Sequence, residues 1–135
     1  MRAYLLLATL WTVPLTAQAT LEAAARAAQR GWLAHDAEAV VGQSTRVVLQ
    51  IPGVDPSAAV SRAQAVALLS RYFRSSEERG LEIVATRELE AGRGVVELER
   101  RYAVPGTSDG RRETVFLGFR LDAGRWRLSE LRSAL

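Results

Sequence analysis

The chain has 135 residues, 48% apolar and 24% charged, with a formal net charge of +3 at neutral pH. That is enough apolar material for one modest core and too little net charge for a disordered polyelectrolyte. It contains no cysteine and no lysine, since all 18 basic residues are arginine, and its one histidine is His35. Disulfides, thiol nucleophiles and Schiff-base lysines are thereby excluded, and scattered acids with one histidine offer no metal-ligand spacing and imply no cofactor.

The first nineteen residues run from Arg2 through an apolar stretch, Ala3 to Leu15, to the small-residue triplet Ala17-Gln18-Ala19. The run is shorter than the roughly 20 residues a spanning helix needs, and an A-x-A site follows it. Residues 1–19 therefore read as a signal peptide cleaved after Ala19. Residues 20–135 form one exported domain, periplasmic or secreted, with no membrane anchor remaining.

From Thr20 to Ala34, the residues Leu21, Ala25, Ala28 and Trp32 recur at helical spacing and predict an amphipathic helix with a small-residue face. His35 and Asp36 interrupt it. Asp36 is placed to cap a short helix, Ala37 to Val41, that stops at Gly42. The pair could be a catalytic dyad, but adjacent side chains project in different directions, which favours a helix junction.

Thr45 to Ile51 alternates as a strand with Val47, Leu49 and Ile51 on one face, ended by Pro52-Gly53. Ser61 and Gln64 form the two ends of a capping box. The helix they open carries Ala65, Leu68, Leu69, Tyr72 and Phe73 on one stripe. Tyr72 either fills the core there or presents its hydroxyl to a ligand.

Four β segments follow, Leu81–Glu90, Val95–Val104, Glu113–Leu121 and Arg125–Arg132, separated by glycine-containing turns. They read as an antiparallel meander. Arg100 interrupts the apolar set Val96, Leu98, Tyr102 and Val104, while Glu130 shares its alternation with Trp126 and Leu128. Inward charges must pair or reach a pocket mouth, whereas a bulge or strand end would turn them outward. The expected pocket is lined by Arg100, Tyr102, Glu130, Trp126 and Tyr72. Phe116, on the other side of its strand, leaves an aromatic to be covered on the outer face and motivates a homodimer. Acids alternate with arginines, as in Glu97-Leu98-Glu99-Arg100-Arg101, so no basic face forms and nucleic acid is not expected as a partner.

The order helix, short helix, strand, long helix and four strands resembles the nuclear transport factor 2-like superfamily. The residues that carry the resemblance are His35-Asp36-Ala37-Glu38-Ala39, Thr45 to Gly53, Ser61 to Phe73 and Gly124-Arg125-Trp126-Arg127-Leu128. It implies an α+β cone, a bent antiparallel sheet wrapped around a long helix, with a cavity at the wide end. Within it the chain looks most like small exported bacterial domains of unknown function. The resemblance implies a non-catalytic domain that binds a small apolar ligand or a partner protein in or around the cavity. The alternative it implies is an isomerase or dehydratase, with Glu130 as general base and Tyr102 as oxyanion partner.

Overall fold

The computed structural model describes residues 20–55 and 58–134. The signal-peptide reading of residues 1–19 lies outside them. Helix α1 (Leu21–Leu33) starts where the Thr20 hydroxyl accepts a hydrogen bond from the Ala23 amide at 3.1 Å. Its predicted stripe is inside, with Leu21, Ala25, Ala28 and Trp32 all buried. Helix α2 (Ala37–Val41) is capped by Asp36, which accepts from the Ala39 amide at 3.1 Å, and it ends at Gly42 with φ 62°.

Strand β1 (Arg46–Gln50) buries Val47 and Leu49. A two-residue strand that the pattern did not foretell, β2 (Val60–Ser61), pairs antiparallel with it. Helix α3 (Arg62–Arg74) begins in the expected capping box of Ser61 and Gln64. Ala65, Leu69 and Phe73 are buried, and Leu68 and Tyr72 lie half-buried beside them.

The meander is β3 (Glu77–Leu89), β4 (Arg93–Ala103), β5 (Gly110–Asp122) and β6 (Arg125–Ala134). The six strands form one curved sheet in the order β2-β1-β6-β5-β4-β3, with β1 parallel to β6 and every other pair antiparallel. One face carries Val96, Leu98, Val115, Leu117, Phe119 and Leu131 into the core, where they meet the helix stripes. Strand β3 starts four residues before the expected Leu81, because Glu77 and Glu78 already pair with Ala103 and Tyr102. That early start brings Glu78 onto the core-facing side.

Candidate functional site

Arg100 points inward and is 1% exposed, the largest charged group in the interior. Its Nε donates to both carboxylate oxygens of Glu78, at 3.1 and 3.0 Å. Nη1 donates to the Tyr72 hydroxyl at 2.7 Å and to Glu113 Oε1 at 3.0 Å, and Nη2 donates to Ser76 Oγ and Glu78 Oε1. The five N–H groups of a guanidinium are thus all engaged. Three rings close around it, with centres 4.1 Å (Tyr102), 5.1 Å (Tyr72) and 5.3 Å (Trp32) from Cζ.

The Tyr72 hydroxyl donates to Glu113 Oε1 at 2.6 Å. Burial above all, and then the hydrogen bond to Glu113, hold the Tyr72 phenol well above the ordinary tyrosine range, so it remains a neutral donor. Burial by itself disfavours the Arg100 cation, but the hydrogen bonds and charge of Glu78, together with Glu113, outweigh that and raise its pKa.

His35 closes the cluster from outside. It sits between α1 and α2 at φ 53°, a left-handed conformation that histidine tolerates at a junction. There its ring stacks on Phe73, with centres 5.1 Å apart and planes at 9°, and Nε2 comes within 3.4 Å of Glu78 Oε1.

A separate cavity of about 490 Å³ lies where α1, α2 and the start of β6 meet. Its apolar wall includes Ala24, Ala28, Val41, Phe119, Trp126 and Leu128. Arg30, Arg125 and Arg127 supply its charge. The small side chains along α1 make this space, since one turn of alanines leaves a gap that larger residues would fill. The two helices approach closely at Gly31, where a Cβ would lie 3.0 Å from Ala39 Cβ. Its size falls within the range of small-molecule sites.

No protein-family model matches the chain, and no curated protein matches it either. Solved structures do. A ketosteroid isomerase-like protein from Erwinia carotovora atroseptica superposes with a TM-score of 0.67 at 21% identity, covering 88% of this chain and 95% of that one. A Thiobacillus denitrificans domain, named for the calcium/calmodulin-dependent protein kinase type II association domain, gives 0.67 at 18% identity over 86% and 95%. A Nostoc punctiforme domain of unknown function with a cystatin-like fold gives 0.59 at 12% identity over 83% and 72%.

The chain has the nuclear transport factor 2-like fold.

Within this nuclear transport factor 2-like domain, the residues expected to line one pocket separate into three places. Arg100, Tyr102 and Tyr72 come together in the buried cluster, whereas Trp126 lines the cavity beside α1. Glu130 belongs to neither. The register slips between Gly118 and Phe119, so that Gly118 pairs with Glu130 and Phe119 with Leu128, leaving Ser129 as the extra residue of a bulge. The bulge turns Glu130 to the outer face, 40% exposed and paired with Arg132 Nε at 3.2 Å. The pairing of Glu130 with Tyr102 as base and oxyanion partner is therefore wrong, because the two lie on opposite sides of the sheet.

Phe116 is on that outer face too, half-buried, with the Arg132 guanidinium 5.1 Å from its ring centre. The aromatic surface that motivates a homodimer is thus partly covered within the chain. The segment Trp32 to Phe73, from which only Tyr72 was expected at the pocket, supplies Trp32, His35, Tyr72 and Phe73 to the cluster. Glu78 and Ser76, missed beforehand, lay just ahead of the expected strand start. An acid and a hydroxyl following directly on a helix end were the only signal.

Proposed function

We propose that this is an exported, non-catalytic domain that holds a small apolar ligand in the cavity between α1, α2 and β6. The observation that carries the reading is the contrast between two interiors. At Arg100, both carboxylates are nearly buried and already accept from the guanidinium, so neither is free to take a proton from a substrate. Beside α1, by contrast, about 490 Å³ is lined by alanine, valine, leucine and two aromatic rings and opens to solvent.

The likeness to a ketosteroid isomerase-like protein supports a fold able to enclose a ligand; activity does not follow from the fold. Export rests on the leader-like residues 1–19. Native mass spectrometry of the protein recovered from the periplasm tests both parts. The expected species starts at Thr20 and carries a small apolar molecule, which Ala24→Phe displaces by filling the cavity. A ligand-free species at every cone voltage, for the wild type and for Ala24→Phe alike, would sink the binding reading.

A further inference from the structure

The outer face of the sheet carries a row of side chains that is its own complement in charge. Phe116 on β5 stands opposite Glu97 of β4 on one side and Arg132 of β6 on the other, so an acid, an aromatic ring and a base lie in line across three strands. Among the described residues Glu97 makes no ion pair, and Arg132 has only Glu130, at 3.2 Å between side chains that are 47% and 40% exposed. So exposed a pair contributes little and exchanges partners at small cost.

The relief of the face fits the charges. Thr114 and Gly118, which flank Phe116 on this side of β5, are both small. Beside the row, the bulge between Ile83 and Ala85 leaves Val84 59% exposed. Val84, Glu97, Glu99, Arg112 and Thr114 line a shallow hollow of about 250 Å³ there. An aromatic ring and a bared valine on one face are apolar surface that a partner would cover.

We propose that this face binds a second copy of the chain through a two-fold axis that runs parallel to β5 over Phe116. That rotation carries β6 of one protomer over β4 of its partner. The two Phe116 rings then meet on the axis, and each Arg132 comes against the partner's Glu97 at the edge of the hollow, once on either side. An axis perpendicular to β5 would instead stack β4 on β4, with Glu97 and Glu99 facing carboxylates, and like charges so opposed cost several kcal/mol. The charge row thus selects one of the two ways of stacking the faces. The cavity beside α1 lies on the inner side of the sheet, so this inference stands apart from the ligand reading.

Light scattering of the protein at rising concentration is expected to give the mass of two chains, with a dissociation constant that rises with salt. Glu97→Arg and Arg132→Glu each oppose like charges at both contacts and are expected to be monomers. Mixed one to one they form a heterodimer, because one chain then carries two cations in the row and the other two carboxylates. Glu97→Gln and Arg132→Gln add no repulsion and each weaken the dimer about tenfold, which keeps the test open should a reversed chain fail to fold. A wild type still monomeric at about 0.5 mM would overturn the second copy as partner. Reversed variants that dimerise like the wild type, folded reversed chains that do not recombine, or neutral variants of unchanged affinity would each overturn the contact between Glu97 and Arg132.

Discussion

Arg100 and Glu113 stand directly opposite each other on β4 and β5, and Nη1 donates to Oε1 at 3.0 Å between side chains that are 1% and 3% exposed. The pair, with Glu78, ties β3, β4 and β5 together beneath the end of α3. Arg100→Met leaves two buried carboxylates without a cation, which costs about 3–5 kcal/mol in urea unfolding. Adding Glu78→Gln and Glu113→Gln to that variant recovers part of the loss, because the uncompensated charge is gone. A loss below about 1 kcal/mol in the single variant would mean that the cluster opens to water.

Tyr72 gives the cluster an alkaline limit. Its folded pKa is raised, so the protonated phenol is the form the fold favours, and its contribution is fully present below the unfolded value of about 10. Stability then falls as pH rises from about 10 towards the higher folded pKa, since ionisation would set two anions 2.6 Å apart. Tyr72→Phe costs about 1–3 kcal/mol at neutral pH and flattens that alkaline decline. Parallel curves for wild type and variant between pH 9 and 12 would contradict the assignment.

The bulge at Ser129 makes a sharper claim about the sheet. Glu130→Gln, on the outer face, changes stability by no more than about 0.5 kcal/mol. Deleting Ser129 removes only the extra residue and leaves Leu128 inward, Glu130 outward and Leu131 inward, so the variant folds with a loss of no more than about 1–2 kcal/mol. Circular dichroism reads both variants as folded; in a strand without the bulge the deletion would turn Leu131 outward, so an unfolded deletion variant would refute the register.

Gly31 is the contact at which α1 meets α2. A methyl group there would lie 3.0 Å from Ala39 Cβ and 3.1 Å from the Val40 nitrogen, so Gly31→Ala must push the helices apart. The expected cost is about 1–3 kcal/mol despite alanine's better helix propensity. Thermal melts in which Gly31→Ala equals or exceeds the wild type would show that the helices yield without strain.

How much of this was legible in the sequence depended on whether the signal was local. The caps at Asp36 and Ser61 and the stripe from Leu21 to Trp32 follow from spacing alone, and the structure has them where the pattern placed them. Arg100 could be recognised as an inward charge, because it breaks an otherwise apolar alternation. Its partners could not, since Tyr72, Ser76 and Glu78 approach it across 22 to 28 residues of chain. Glu130 was misplaced because one extra residue reverses every later side chain in a strand, and nothing in Leu128-Ser129-Glu130-Leu131 marks where it sits. The cavity was invisible for a related reason: a gap is made by what several elements leave unfilled.

The central claim, that ligands enter beside α1 and leave the arginine cluster alone, is tested most directly by the tryptophan indole resonances. In a nitrogen-15 correlation spectrum titrated with 1-decanol, the Trp126 indole, in the cavity wall, shifts in a saturable way, and the Trp32 indole, packed against Arg100, stays in place. Movement of Trp32 with Trp126 unchanged would put the binding site in the cluster and contradict the account.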